Sequence, residues 1–273
     1  MLAALGASIG AGLLGSLLGL GGGIIVVPAL SLLLGVDIRY AIGASLISVV
    51  ATSCAASAAY VRDRLANIRL GMFLELGTVV GAMVGAFVAG VIDPQWLHVI
   101  FAGLLLLVAA AMFRGDDQRS ADPRTPDRLA DRLGLHGTLP PSKAGAGGGA
   151  YRVQRSRLGL GAGAFAGCVS GLLGVGGGLI KVPVMTLGMG VPLKAATATS
   201  NFMIGVTGAA SAGVYFSRGD IDPVIAGPVA IGVLVGATVG ARLLAHVPRR
   251  ALRMGFSVVM VITAIQMIRK GMA

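Results

Sequence analysis

Two short stretches of the chain are nearly identical: residues 17–28 read LLGLGGGIIVVP, and residues 172–183 read LLGVGGGLIKVP. Nine of the twelve positions match, at an offset of 155 residues. At the same offset and without a gap, matches continue through Gly35 and Gly190, Ser45 and Ser200, Thr52 and Thr207, and Phe101 and Phe256. Self-similarity held in one register over this length indicates two copies of one structural unit.

The composition indicates that lipid is the solvent for much of the chain. Of the 273 residues, 55% are hydrophobic and 12% are charged, and the mean hydropathy is +0.87. A helix crosses the hydrocarbon core of a bilayer in roughly 20 residues. Segments of that order carry one charge between them, Glu75: residues 40–60, 71–91, 195–217 and 224–241. The sequence therefore predicts an all-α integral membrane protein.

Glycines recur at every fourth position in three of the apolar segments. Residues four apart lie on one face of a helix, and small residues there let two helices approach closely within a membrane. We therefore interpret these glycines as packing positions rather than ligand-binding positions: Gly77, Gly81 and Gly85; Gly159, Gly163, Gly167 and Gly171; and Gly232, Gly236 and Gly240.

The repeats divide the chain into three parts. Residues 1–113 and 158–273 each read as a glycine-interrupted segment followed by three transmembrane spans. Residues 114–157 are rich in Arg, Asp, Pro and Gly and are predicted to form a disordered linker, with a short helix near residues 126–135.

The distribution of basic residues predicts opposite orientations for the two repeats. If the linker is cytoplasmic, sixteen Lys or Arg residues outside the spans face the cytoplasm and four face the other side, as the positive-inside bias requires. Each repeat has three spans, an odd number, so the second repeat starts on the opposite side of the membrane from the first. This requires that each glycine-interrupted segment is a hairpin that enters and leaves on one side. We expect two inverted-topology repeats, each a glycine-interrupted hairpin plus three transmembrane helices; whether the hairpins are re-entrant or fully spanning stays open.

The glycine turns are the first candidate binding site. Irregular backbone at membrane depth commonly forms the substrate site of inverted-repeat transporters. A helix that starts at such a turn presents free N–H groups and the positive end of its dipole, which favour an anion. We therefore predict that two turns bind substrate, Gly21, Gly22 and Gly23 in one repeat and Gly176, Gly177 and Gly178 in the other. The alternative is that these glycines only allow the chain to turn.

Two ionisable residues within the spans are further candidates, because charge is expensive there and commonly functional. Lys181 replaces the Val26 of the first repeat. It could bind substrate, pair with Glu75 or extend to the membrane surface. Glu75 is a candidate for proton coupling, but it lies six residues from Arg69 and could instead reach the interface.

Hydroxyl and amide side chains follow each turn in an otherwise apolar span. Such groups can replace part of the hydration shell of an anion while remaining neutral. From this polar stripe we select Ser45, Thr197, Ser200 and Asn201 as substrate-binding candidates. Hydrogen bonding between helices is an equally good interpretation of any single one of them.

The motif GxGGGxxxxP occurs twice, at Gly19–Pro28 and Gly174–Pro183, each time before a span that bears Ser and Thr. With this motif the chain resembles the TauE/SafE sulfite exporter family over everything except the linker. The resemblance implies a secondary transporter that exports sulfite, sulfonates or related anions, driven by the proton motive force, in a prokaryotic inner membrane.

The expected partners are a small anionic substrate and the lipid bilayer, and a homo-oligomer stays open. The net charge of +11 is explained by the loops and the linker, so no nucleic-acid partner is expected. Cys54 and Cys168 lack a neighbouring His or Cys, and we expect no metal site and no cofactor. A passive anion channel, or a transporter of another organic anion or of a cation, is the main alternative. An intramembrane hydrolase using Ser170 lacks a base at depth.

Overall fold

The computed structural model describes residues 5–6, 8–13, 22–114, 127–140, 149–243 and 249–272. Residues 5–6 and 8–13 are helical. The first repeat continues with α1 (Gly23–Pro28, extended by a π-helical turn at Ala29–Leu33), α2 (Ile38–Arg62), α3 (Ile68–Val91) and α4 (Pro94–Arg114). Next come α5 (Arg128–Leu133) and two antiparallel strands, β1 (Gly137–Leu139) and β2 (Gly149–Tyr151). The second repeat consists of α6 (Ser156–Leu173), α7 (Gly178–Pro183, extended by a π-helical turn at Val184–Gly188), α8 (Leu193–Ser217), α9 (Pro223–Leu243) and α10 (Arg249–Met272).

The helices of the two repeats begin at equivalent positions. The first residues of α1, α2, α3 and α4 each lie 155 residues before those of α7, α8, α9 and α10. The breaks are equivalent as well, since Gly22 and Gly177 precede α1 and α7 with φ angles of 78° and 70°. Both short helices widen into a π-helical turn directly after a proline, whose ring and missing N–H interrupt the regular hydrogen-bond pattern. The sequence repeat is therefore a repeat of structure.

Glycines bring α3 into backbone contact with α6. A Cβ atom added at Gly81 or Gly85 would lie 2.8 Å from a carbonyl carbon of α6, and one added at Gly167 or Gly171 would lie 2.8 Å from a carbonyl carbon of α3. The equivalent contact joins Gly232 and Gly236 of α9 to residues 5–13. The prediction of close helix packing is confirmed for these glycines; the surroundings of Gly240 lie outside the description.

The two repeats interlock instead of lying side by side. The first arm of each hairpin packs on the second span of the other repeat, α6 on α3 and residues 5–13 on α9. The first spans, α2 and α8, also pack together, and they run antiparallel: Gly43 contacts Asp220, whereas Ser53 contacts Gly205. The third spans, α4 and α10, form another pair. Neither repeat could therefore bury its packing faces alone.

The exposed faces of the helices are apolar, as the prediction of a membrane protein requires. On α3 the side chains away from α6 include Leu76, Val80, Phe87 and Val91, each more than 60% exposed. Among the described residues, three helices are long and apolar enough to cross a bilayer, α2, α3 and α6, and shorter apolar helices accompany them. The chain is a multi-pass helical membrane protein.

Part of the predicted disordered linker has regular structure. Residues 127–140 and 149–155 contain α5 and the β1–β2 ribbon, and they bury Ala130, Leu135 and Val153 against the membrane-spanning helices. Helix α5 lies where the sequence predicted a short helix, near residues 126–135. The order of the remaining described residues was not expected, and apolar residues that pack in this way offset the cost of ordering the chain.

Hydrogen bonds fix this segment at both ends. The carboxylate of Asp127 accepts bonds from the N–H groups of Leu129, Ala130 and Ser156. Partial burial opposes ionisation there, but these bonds outweigh it and lower the pKa of Asp127. The side-chain amide of Asn67, in the loop before α3, donates to the Leu135 carbonyl and the Tyr151 hydroxyl.

Candidate functional site

The two glycine turns meet at the centre of the interlocked repeats. The Ser45 hydroxyl on α2 donates to the Gly174 carbonyl at 2.8 Å, which joins the first repeat to the turn of the second. A Cβ atom at Gly23 would lie 2.7 Å from the same carbonyl oxygen. Val49 contacts the Gly23 and Gly176 positions together. The turns therefore lie against one another, and this contact by itself requires glycine.

The conformation of the turns exposes N–H groups. Gly22 and Gly177 adopt left-handed backbone angles, and their carbonyls accept the N–H groups of residues three and four positions later. The N–H groups in between, at Gly178 and Leu179 in the second repeat, fall outside the helical bonding pattern. Gly23 and Gly178 are buried at the start of their helices, while Gly21 lies outside the described residues.

Two buried hydroxyls line the second turn. Ser200 on α8 is 1% exposed, and its Oγ lies 3.4 Å from the position of a Cβ at Gly178. Ser170 on α6 is fully buried, and its Cβ lies 3.3 Å from the same position at Gly177. Neither hydroxyl has a hydrogen-bond partner among the described residues. Because a buried polar group without a partner is costly, these two hydroxyls mark a place that can accept a polar ligand.

Lys181 is buried beside the same turn and forms an ion pair. Its ammonium group donates to the Thr207 hydroxyl at 2.7 Å and lies 4.0 Å from Oε2 of Glu75. The Thr207 hydroxyl in turn is 2.5 Å from Oε1 of Glu75. Lys181 and Glu75 are 3% and 7% exposed, so neither extends to the surface. Of the three options for Lys181, pairing with Glu75 is the one that the structure contains.

The ion pair joins the two repeats, Glu75 from the first and Lys181 from the second, and it has no symmetry-related copy. The residues equivalent to Lys181 and Glu75 are Val26 and Ala230, which carry no charge. Thr52, the equivalent of Thr207, donates to carbonyls of its own helix. The turns thus follow the internal symmetry, while the ion pair breaks it.

Other polar residues of α2 and α8 bond within α8 or join it to neighbouring elements. The Asn201 amide donates to the carbonyl of Thr197, one turn earlier on α8. The Ser53 hydroxyl bonds to the Asn201 carbonyl, and so joins α2 to α8. Thr199 accepts the N–H of Asn67 at 2.9 Å, which joins α8 to the loop before α3. The Asn201 side chain thus bonds within α8, to the main chain at Thr197, and the links from α8 to other elements run through the Asn201 main chain and the Thr199 side chain.

Sequence reasoning did not select Thr207 and Ser170 as site residues. Thr207 had a usable signal, because a threonine recurs at Thr52 in the other repeat. Ser170 had little signal, since its equivalent is Gly15 and it is one small residue within a glycine series. A separate apolar groove of about 180 Å³ lies between α1 and α10 and contains none of the predicted site residues.

Comparison with known proteins agrees with this class of molecule, a multi-pass helical membrane transporter. The profile of the TauE/SafE sulfite exporter family matches residues 4–267, so the chain belongs to that family. It is 27% identical to the probable membrane transporter protein YunE of Bacillus subtilis, over 96% of this chain and 94% of that protein. It is 24% identical to the probable membrane transporter protein MJ0441 of Methanocaldococcus jannaschii, over 90% and 87% of the two chains. No solved structure was found to match.

Proposed function

We propose that this protein is a secondary active transporter that exports a small anion such as sulfite or an organosulfonate, coupled to protons. The observation that carries the proposal is a buried ammonium group, Lys181, beside a glycine turn lined by two unpartnered hydroxyls, Ser170 and Ser200. A positive charge together with neutral donors is the chemistry that binds an oxyanion. The family name supports sulfite as the first substrate to test.

The charges of the site favour an anion over a cation. A cation path needs unpaired acidic groups at depth, whereas Glu75 is already paired with Lys181. Hydroxyl and backbone N–H donors are neutral, so they can bind an anion without holding it too tightly for release. The proposed binding residues are those of the turns and the stripe: Gly21, Gly22, Gly23, Ser45, Gly176, Gly177, Gly178, Lys181, Thr197, Ser200 and Asn201, with Glu75 as the proton-coupling residue.

We further propose that the repeats at 1–113 and 158–273 have inverted topology in an inner membrane, with the segment 114–157 in the cytoplasm. The antiparallel course of α2 and α8 supports inversion. Arg39 and Arg218, both assigned to the outer side, contact the carbonyls of Ile92 and Ala86 near the end of α3. Asn67, before the start of α3, contacts the inter-repeat segment. The contacts of Arg39 and Arg218 and the contact of the inter-repeat segment thus lie at opposite ends of α3, which supports assigning them to opposite sides.

Flux measurements test the transport proposal. Purified protein in proteoliposomes should move radiolabelled sulfite or a sulfonate, faster with a pH gradient than without one. If the protein is a carrier, unlabelled substrate inside the vesicles should stimulate uptake of labelled substrate. A channel would give a flux that does not saturate and is not stimulated by substrate on the opposite side. Vesicles reconstituted with Lys181→Met should lose most of the flux, while Gly161→Ala, at a position with open space around it, should keep it. Absence of flux for every sulfur anion would reject the proposal.

Cysteine labelling tests the inverted topology. In a background without Cys54 and Cys168, a single cysteine replaces Arg62 or Arg218. We expect a membrane-impermeant thiol reagent to reach these two positions from opposite sides. Labelling of both from one side would contradict inversion.

A further inference from the structure

We infer that Glu75 is a built-in counter-anion for Lys181, and that protonation of Glu75 frees Lys181 to bind the transported anion, so that one proton travels with each anion bound. This inference rests on the proposed function and gives its coupling a physical basis. It predicts the stoichiometry of coupling and the relative direction of the two fluxes.

The ion pair is close but incomplete. The Lys181 ammonium group and Oε2 of Glu75 are 4.0 Å apart, beyond hydrogen-bond distance, and Oε2 has no hydrogen-bond partner among the described residues. Lys181 donates one hydrogen bond, to Thr207. An ammonium group has three donors, so two directions remain for an incoming ligand. Buried ion pairs that persist for stability alone normally satisfy these remaining groups.

Thr207 lets the cluster exist with Glu75 ionised or neutral. Its single hydroxyl proton has two acceptors within reach, Oε1 of Glu75 at 2.5 Å and the Met203 carbonyl at 2.9 Å. When Glu75 is ionised, the hydroxyl can donate to the carboxylate. When Glu75 binds a proton, the hydroxyl can rotate to the Met203 carbonyl and accept from the carboxyl group. Protonation then needs no rearrangement of α3 or α8.

The Lys181 side chain packs against the second glycine turn. The Lys181 Cε lies 3.3 Å from the position of a Cβ at Gly177, and the Ser170 Cβ lies at the same distance. Ser200 borders the next residue of the turn, Gly178. An anion at this turn would meet the free donors of Lys181, the two unpartnered hydroxyls and the N–H groups at the start of α7.

Electroneutrality then couples the proton to the anion. A lone ammonium group or a lone carboxylate is strongly disfavoured in a buried site, so two states are favoured. In one state Glu75 is ionised and the site is empty; in the other Glu75 is protonated and the anion balances Lys181. The proton comes from water on the side to which the site is open, and it returns to water when the anion leaves.

The other charged residues on the elements around Glu75 are exposed. They are Arg69, Arg157 and Lys194, each in the first turn of its own helix, α3, α6 and α8. Their charges are screened by solvent and ions, whereas Lys181 is not. The repeat equivalents of the pair, Val26 and Ala230, are neutral, so the chain contains this device once. Proton and anion occupy the same state and must cross in the same direction, so an outward gradient of the substrate drives export and an inward proton gradient opposes it. This differs from the proton-driven export that the family resemblance implies.

Calorimetry on the full-length protein in detergent tests this coupling. Methanesulfonate is a suitable probe because its single charge does not change between neutral and mildly acidic pH. Binding enthalpies in two buffers of different ionisation enthalpy give the number of protons taken up. We expect about one proton per anion for the wild type, and a dissociation constant that rises with pH, by up to about tenfold per pH unit where uptake of that proton limits binding.

Variants separate the coupling from the rest of the site. Glu75→Gln should bind the anion without proton uptake and with an affinity that is independent of pH. Thr78→Val is the matched control, since Thr78 is buried one turn later on α3 and bonds only within that helix, at Leu74; it should behave as the wild type. Glu75→Asp keeps a titrating group and should keep the proton uptake.

The possible results are distinct. Anion binding by the wild type without proton uptake would overturn the inference and leave the proposed function standing. Proton uptake that persists in Glu75→Gln would overturn it as well, because another group would then be the carrier. Failure of the wild type and of Glu75→Gln to bind any sulfur anion at any pH would overturn the proposed function together with the inference.

Discussion

Replacement of Gly167 by alanine should separate α3 from α6 and destabilise the protein. A Cβ atom there would lie 2.8 Å from the carbonyl carbon of Thr78 and 2.9 Å from its Cα. Carbon atoms pack at about 3.5–4.0 Å, so the helices must part by roughly 1 Å at this point. Both obstructing atoms are backbone atoms, so rotation of a side chain cannot relieve the overlap. Overpacking of this kind costs about 1–3 kcal/mol.

The same substitution has an opposing effect that a control can measure. Alanine is favoured over glycine in a helix interior by about 0.5–1 kcal/mol. Gly161 lies on the same helix, α6, with no atom within 4 Å of its Cβ position. Gly161→Ala should therefore be neutral or slightly stabilising, and the difference between the two variants isolates the effect of the close contact.

Thermal unfolding in detergent, followed by circular dichroism, is a suitable assay. For a chain of this size, each kcal/mol corresponds to roughly 2–4 °C in Tm, so we expect Gly167→Ala to unfold several degrees below Gly161→Ala. Equal Tm values for the two variants would refute the backbone contact between α3 and α6. The interlocked arrangement of the repeats would then lose its main support.

Three further predictions concern the ion pair, the crossing of the repeats and the inter-repeat segment. Lys181→Met should cost about 3 kcal/mol of unfolding free energy because it leaves Glu75 without a counter-charge. Adding Glu75→Gln should restore most of this loss, and a double variant no more stable than Lys181→Met would contradict the pairing. Ser45→Ala should cost about 1 kcal/mol of unfolding free energy because it removes the hydrogen bond to the Gly174 carbonyl. Ser200→Ala should leave Tm unchanged and weaken anion binding. Equal effects of the two substitutions on Tm would contradict this difference. Asp127→Ala removes a helix cap worth about 1 kcal/mol and should speed proteolysis of residues 127–157. The lowered pKa of Asp127 means that its contribution is present above the ordinary carboxyl pKa and is lost as the pH falls through the lowered value. Wild-type cleavage by pepsin should therefore approach that of the variant only in the acid range, and identical cleavage at all pH values would refute the cap.

The sequence was sufficient for those features that recur within it. The offset of 155 residues predicted the equivalent helices, and the spacing of Gly81 and Gly85 predicted backbone contact. Both signals are local or periodic, and periodic patterns in a sequence reflect one face of a helix. The GxGGGxxxxP motif was sufficient for the family.

Pairing between distant segments could not be predicted in the same way. Glu75 and Lys181 lie on different repeats, and their contact depends on how α3, α7 and α8 are rotated against one another. Pattern alone did not indicate that α6 packs on the other repeat, because each glycine series fits any small-residue partner. The sequence predicted the short helix near residues 126–135, where α5 lies, but not the β1–β2 ribbon or the docking of this segment, for a compositional reason. A few apolar residues, such as Leu135 and Val153, are enough to dock a segment that is otherwise polar.

Symmetry and its local breaking have separate consequences for transport. Two equivalent halves with broken helices at a shared centre can adopt two mirrored arrangements of nearly equal energy, which is what alternating exposure of one site to two sides requires. A second, symmetry-related pair at positions 26 and 230 would provide a second charged site, and two compensating ions would then be needed. Because Val26 and Ala230, the repeat equivalents of Lys181 and Glu75, carry no charge, the pair occurs once, and in the proposed mechanism a single anion and a single proton suffice to neutralise the centre in both arrangements. In the proposed mechanism, the symmetric backbone supplies the conformational change and the asymmetric ion pair supplies the coupling.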